Sequence, residues 1–358
     1  MSGSNLETYG WDAAFAEAFA PHARTGLVPG RILLQHNKIY LVYTAGGEIY
    51  AEVAGRLLHE ARGREDLPAV GDWVTLRRAE GETARATIHA VLPRKSKFSR
   101  KAAGSRTEEQ VVAANVDTVF LVTGLDNDFN PRRLERYLIM AHESGAHPVI
   151  VLNKADLVED HAEKVREVER IAAGVPVVSM SARRGEGVEQ LLPFVGAGQT
   201  VALMGSSGVG KSTIVNRLLG DEAQRTQEVR RGDDRGKHTT THRELLLLPG
   251  GGLVMDTPGM RELQLLVSDR GLRETFEDVE TLAAECRFSD CRHEGEPDCR
   301  IREALADGTL APERYESYRK MLAEMAQAAV RQEQRAAQIE KGRVKRLTRA
   351  FNKSKKRY

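Results

Sequence analysis

Thr200-Val-Ala-Leu-Met-Gly205-Ser-Ser-Gly-Val-Gly-Lys211-Ser212-Thr213 reads as a buried strand that runs into a glycine-rich loop and then a helix. The loop fits G-x-x-x-x-G-K-[ST], and the helical pattern over 212–219 is the context this motif needs. Across Gly205, Ser206, Ser207, Gly208, Val209 and Gly210 the backbone N–H groups can turn toward phosphate oxygens. Lys211 reaches the β and γ oxygens, Ser212 offers its hydroxyl to Mg²⁺, and Thr213 completes the nucleotide-binding set at a helix N-terminus that favours anions.

Working outward, Asn153-Lys154-Ala155-Asp156 closes the apolar run 148–152, about fifty residues before the loop. A carboxylate at Asp156 accepts two hydrogen bonds from guanine N1–H and N2–H₂, a donor pair that adenine lacks. Ser181-Ala182, after the strand-like 175–178, offers a backbone amide to guanine O6. Asp256-Thr-Pro-Gly259 follows the apolar 252–255; the carboxylate of Asp256 suits a magnesium shell, and the Gly259 amide can sense a γ-phosphate. Between them, Gly236-Lys-His238-Thr239-Thr240-Thr241 carries hydroxyls able to close over Mg²⁺, with Thr240 taken as the ligand. Singly, an N-K-x-D can cap a helix and a D-T-P-G can be an ordinary turn. Together, each at a strand end, these stretches point to GTP and GDP with magnesium.

The base-reading motif here precedes the phosphate loop, the reverse of the usual order. In open parallel α/β sheets the ligand lies outside the carboxyl ends of the strands, so the site is indifferent to how the strands are connected. Circular permutation needs only original termini that are close and exposed. The permuted order, the G-x-H-T-T-T stretch 236–241, the Ala114-Asn-Val-Asp117 lead-in to the first strand and the flanking regions resemble the ribosome small subunit-dependent GTPase A family. The resemblance covers most of the chain.

Between Arg31 and about Pro93, short stretches alternate apolar and polar residues, including 39–43, 48–53, 73–76 and 86–91, separated by turn signals such as Gly46-Gly47. That pattern suits a small β-barrel and leaves OB and SH3-like barrels open; the family resemblance implies the OB type. Arg94, Lys95, Lys97, Arg100 and Lys101 then crowd a linker that reads equally as a solubilising hinge or an RNA-backbone contact. All three cysteines lie in Cys286-x₄-Cys291-x-His293-x₅-Cys299, the donor set of one tetrahedral structural zinc site. Helical spacing recurs over 263–283 and 312–341, with Tyr315, Tyr318, Met321, Leu322 and Met325 along one core stripe. Asn130-Pro131 opens a helix that Gly145 closes.

The expected fold is therefore multidomain α/β: an N-terminal extension over 1–30, an OB-type β-barrel over 31–97 and a basic linker over 98–112. A circularly permuted P-loop GTPase domain over 113–265 follows, with motifs in the order G4-G5-G1-G2-G3, then a helical zinc-binding domain over 266–340 and a basic tail over 341–358. Length and mass, 358 residues and 39.6 kDa, allow two or three domains with ample core. A formal net charge of +2 argues nothing about nucleic acid, but the tail from Lys341 carries nine cations and no acid, which suits phosphates. No run of 18 apolar residues and no basic-then-apolar leader occur, so a cytoplasmic protein with no membrane partner is expected. Nothing demands a dimer, and a monomer is the expectation.

Many GTPases place a glutamine after the D-x-x-G glycine to orient water, but this position is Met260. The resemblance implies His238 as the replacement, since an imidazole can orient water or accept a proton near neutral pH; with Lys211 and Thr240 it completes the expected catalytic set. The same resemblance implies a GTPase that binds the small (30S) ribosomal subunit and its rRNA in late maturation, hydrolysing GTP to GDP and phosphate with ribosome-stimulated turnover. Two alternatives stay open from the residues alone: an RNA-assembly factor that binds GTP with little catalysis, and a GTPase with a non-ribosomal role.

Overall fold

The computed structural model describes residues 6–78, 85–101, 109–172, 174–220, 243–256, 269–327, 329–330 and 334. Two compact units result, one drawn from 1–100 and 110–264, the other from 101–109 and 265–358.

In the first unit, β1 (Val28–His36), β2 (Ile39–Thr44), β3 (Gly47–Val53), β4 (Trp73–Arg77) and β5 (Ala86–Val91) close into a five-stranded barrel in the order β1-β2-β3-β5-β4. The β1–β4 pairing from Val28↔Leu76 to Arg31↔Trp73 completes the ring, and β3 and β5 run parallel. With the short α2 (Gly55–Glu60) between β3 and β4, this is the OB arrangement. β1 begins ahead of the expected Arg31 boundary. The N-terminal extension is also ordered from Leu6: α1 (Ala13–Ala23), capped by Asp12, lays Phe15 on the fully buried Trp73, with Trp11 edge-on to the same ring at 4.7 Å. Each such ring removed from water contributes roughly 1.5–3 kcal/mol.

The described residues of the expected linker lie in strands. β6 (Lys97–Lys101) and β7 (Glu109–Ala114) pair as a small sheet. Arg94 grips the buried Asp72 through two bonds, at 2.8 and 2.7 Å, and Lys95 pairs with Asp12. Arg94 is therefore committed to a buried ion pair, whereas Lys95 and Asp12 form one at the surface.

Beyond them stand β8 (Thr118–Gly124), β9 (His147–Asn153), β10 (Val177–Ser179), β11 (Thr200–Gly205), β12 (Arg243–Leu247) and β13 (Leu253–Asp256). All seven residues of β8 are buried, as strands covered by helices on both faces require. The order β10-β9-β8-β11-β13-β12 is parallel except for β12, and helices α3 (Pro131–Ser144), α4 (Ala162–Ile171) and α5 (211–220) accompany it. As expected, Asn130 caps α3 through Arg133 N–H, and Gly145 ends it in the left-handed conformation. β8, β9 and β10 run outward to one side, while β11, β13 and β12 lie on the other, so the switch point is between β8 and β11. β12 also pairs with barrel strand β1, through Leu34↔Glu244 and Gln35↔Arg243, making the barrel strands and β8–β13 one continuous sheet.

Arg31 seals that junction. Its Nε donates to Gly71 O at 3.3 Å, Nη2 to Asn115 O at 3.1 Å and Thr200 Oγ1 at 2.8 Å, and Nη1 to Tyr9 O. Burial pulls its pKa down to about 10, and the charge persists at neutral pH with Asp117, Asp72 and Asp12 nearby.

The second unit comprises α6 (Asp269–Thr275), α7 (Glu277–Ala284), α8 (Arg300–Asp307) and α9 (312–327). The single helix expected over 263–283 is broken where Phe276 leaves helical geometry (ψ 38°) and buries its ring beneath Arg314 and beside Tyr318. Of the expected α9 stripe, Tyr318, Met321 and Met325 are buried, while Leu322 is 40% exposed.

Replacing Arg31 with Met takes its donor from the Asn115 carbonyl and the Thr200 hydroxyl, and each unsatisfied buried group costs roughly 1–3 kcal/mol. Urea unfolding of the first unit should lose about 2–4 kcal/mol. Arg31→Lys should recover only part, because an ammonium cannot span the same fork of acceptors. A loss below about 1 kcal/mol would contradict this role.

Candidate nucleotide site and metal centre

Registers place the expected motifs on one edge of the sheet. Gly124 pairs with Asn153, Leu152 with Ser179 and Val122 with Gly205, while Met255 lies opposite Ala202, just before the Asp256 backbone ends β13. These are all carboxyl ends of parallel strands, where such sheets bind ligands.

Asn153 joins three of the segments. Its side chain is 3% exposed; Nδ2 donates to Val209 O at 2.8 Å, and Oδ1 accepts the Ala182 N–H at 2.9 Å. The amide expected to meet guanine O6 is thus held by Asn153. A Cβ at Gly210 (φ +104°) would stand 2.3 Å from Asn153 Nδ2, so glycine is required for this approach. Lys154 next adopts φ 66°, uncommon for a residue with a side chain and typical of functional sites. Its ammonium meets Asp126 Oδ2 at 2.8 Å.

Asp156 Oδ1 accepts the Ser181 hydroxyl at 2.6 Å, and this bond, with Arg184 and Arg183 nearby, holds its pKa below the usual carboxylate range. It is an acceptor at neutral pH. From α5, Arg217 fixes the Ser181-Ala182 loop from behind by donating to Ala182 O at 3.0 Å and Arg183 O at 2.8 Å. Sequence reading missed Arg217 because an arginine on an exposed helical face carries no motif.

In the phosphate loop, Lys211 Nζ donates to Gly205 O at 2.6 Å and Ser206 O at 2.5 Å. Ser207, Gly208, Ser212 and Thr213 are exposed to solvent, and Val209 is buried beneath the loop. The expected switch residues 236–241, including His238 and Thr240, Gly259 with Met260, and the tail 341–358 lie outside the described residues.

In the second unit, the four expected metal donors converge: one ligand atom each from Cys286, Cys291, His293 and Cys299 lies within 4.8 Å of the others. His293 Nδ1 is 3.6 Å from Cys286 Sγ and 3.4 Å from Cys299 Sγ, which is 4.0 Å from Cys286 Sγ. Tetrahedral coordination at ordinary metal–sulfur lengths puts donors about 3.5–3.8 Å apart, and the set, within a few tenths of an ångström of that at three of its contacts, could hold one ion. The end of α7 presents Cys286, Cys299 leads into α8, and the left-handed His293 (φ 62°) aims its ring inward beside Tyr315.

Comparison with known proteins agrees with this geometry. A family model described as RsgA GTPase matches residues 91–266. A "Small ribosomal subunit biogenesis GTPase RsgA" of Opitutus terrae is 53% identical over 350 residues, covering 96% of this chain and 95% of that protein. One of the same name from Syntrophotalea carbinolica is 46% identical over 353 residues, 96% of each. Among solved structures, YjeQ from Thermotoga maritima has a TM-score of 0.65 at 30% identity, covering 84% of this chain and 99% of that one. YloQ, described as a circularly permuted GTPase, has a TM-score of 0.61 at 23% identity over 84% and 96%, a likeness of fold.

An Asn153→Ala variant leaves the Ala182 N–H without its acceptor. Its hydrogen exchange should accelerate about tenfold or more while amides of β11 keep their protection. Unchanged protection at Ala182 would show that Asn153 does not hold the loop.

Proposed function

The chain belongs to the RsgA GTPase family, and we propose that it hydrolyses GTP to GDP and phosphate in late maturation of the small ribosomal subunit, bound to that subunit's rRNA as a monomer. The observation that carries this reading is the Asn153 bridge, which brings N-K-x-D, Ser181-Ala182 and the phosphate loop together although they are dispersed and permuted in the chain.

The proposed chemistry rests on positioning and charge. Asp156, oriented by its bond from Ser181, reads N1–H and N2–H₂ of guanine, with Lys154 two residues before it in the same motif. The amides of 205–210 take the phosphates, and Lys211, already turned toward the loop, exchanges its carbonyl partners for β and γ oxygens. Ser212, exposed on the first turn of α5, and Asp256, at the end of the strand paired with β11, are fitting magnesium ligands, together with Thr240. Bound magnesium neutralises charge on the β and γ phosphates. His238 orients the attacking water in place of Met260, and Gly259 senses the γ-phosphate. In the second unit, Cys286, Cys291, His293 and Cys299 hold one structural zinc, the ion that favours three thiolates and an imidazole. Among the described residues no helix is long and apolar enough to cross a membrane.

GTP hydrolysis measured with and without purified small subunits, with large subunits as control, should rise strongly with small subunits alone and fall with salt. No stimulation would favour a non-ribosomal role, and RNA binding indifferent to GTP would favour an assembly factor with little catalysis. His238→Ala should lower the stimulated kcat about 10²-fold with KM little changed. A full stimulated rate would remove the catalytic assignment.

A further inference from the structure

The loop between β8 and α3, residues 125–130, belongs to none of the nucleotide motifs, yet it touches two of them. Leu125 N–H donates to Asn153 O at 2.9 Å, and Leu125 O accepts Lys164 Nζ at 2.6 Å. Asp126 Oδ2 holds Lys154 Nζ at 2.8 Å, and that bond keeps the Asp126 carboxyl below its ordinary pKa. Its other oxygen accepts the Asp128 N–H at 3.2 Å, which turns the loop back toward the sheet.

Asp128 then reaches the phosphate loop. Its Oδ2 accepts the Ser206 hydroxyl at 2.5 Å, while Oδ1 meets Arg133 Nη2 at 2.8 Å and the same guanidinium binds the Asp128 carbonyl. Ser206 is thus held on two sides, by Asp128 through its hydroxyl and by Lys211 through its carbonyl.

A carboxylate beside a phosphate loop is unfavourable for an anionic ligand unless its charge is taken up. Here each acid has its own cation, Lys154 for Asp126 and Arg133 for Asp128. What remains is a fixed pair of acceptors that set the base-side lysine and the first turn of the phosphate loop relative to one another.

We propose that Asp128 is a positioning residue for guanine nucleotide, acting through the Ser206 hydroxyl to fix the entry turn of the phosphate loop, with Asp126 aligning Lys154 in the same way. The proposal rests on the GTPase reading above. Preorganising a loop in its bound geometry strengthens binding without adding a contact to the ligand.

The test measures Kd for GDP, and kcat and KM for GTP, in wild type, Asp128→Ala, Asp128→Asn, Ser206→Ala and the double variant Asp128→Ala/Ser206→Ala. Asp128→Ala should weaken GDP binding and raise KM about tenfold with kcat little changed. Asp128→Asn keeps an oxygen acceptor for Ser206 and should stay within about threefold of wild type. The double variant should bind no worse than Asp128→Ala, because both remove the same hydrogen bond. Should Asp128→Ala fail to fold, Ser206→Ala alone, which leaves Arg133 paired, should still raise KM severalfold. Unchanged KM in Ser206→Ala, additive losses in the double variant, or an Asp128→Asn as weak as Asp128→Ala would each overturn the proposal. Wild type that fails to bind GDP would instead overturn the GTPase reading beneath it.

Discussion

One buried amide organises the site. Asn153 gives its Nδ2 hydrogen to Val209 and takes the Ala182 hydrogen on Oδ1, so loops after β9, β10 and β11 are fixed to a single side chain. A buried amide with both ends satisfied is directional in a way that apolar packing is not. Gly210 is the necessary companion, since any side chain there would collide with the Asn153 nitrogen. This explains why permutation is harmless to the site: the contact depends on where three strands end, not on the order in which they are visited.

The second constraint is continuity between barrel and GTPase strands. β12 hydrogen-bonds to β13 on one side and to β1 of the barrel on the other, and Arg31 ties the extension, the barrel turn at Gly71, Asn115 and Thr200 into one buried cluster. Four acceptors on a single guanidinium replace the water that the charge gives up on burial, which is the condition for keeping an arginine inside a protein. A rigid junction of this kind gives the barrel a fixed orientation toward the strands that carry the nucleotide motifs.

The nucleotide-binding half was readable in the sequence because its strands are covered on both faces and appear as unbroken apolar runs closed by glycine, asparagine or aspartate. The convergence of Cys286, Cys291, His293 and Cys299 was readable for a related reason, since metal donors carry their chemistry in their identity. What escaped was whatever depends on partners distant in sequence. Arg31 marked only the start of the barrel pattern and Arg94 only a basic linker, yet one is buried among carbonyls and the other is clamped to Asp72. Asp126 and Asp128 belong to no motif, and only the fold shows them meeting Lys154 and Ser206. Phe276 sits within a helical pattern, but burying its ring under Arg314 outweighs local propensity and splits the helix. Barrel strands were found, but their type came from resemblance, because alternation reveals a pleat and not a topology.

Asp156, oriented by Ser181 and placed by the Asn153 bridge, reads guanine at the end of a permuted sheet. Binding of GDP and XDP to wild type and to Asp156→Asn tests it most directly. A carboxylate matches the N1–H and N2–H₂ donors of guanine, whereas an amide can accept from N1–H and donate to the O2 carbonyl of xanthine. Wild type should prefer GDP by about 10²-fold or more, and Asp156→Asn should reverse that preference. A variant that still prefers GDP as strongly as wild type would contradict the account.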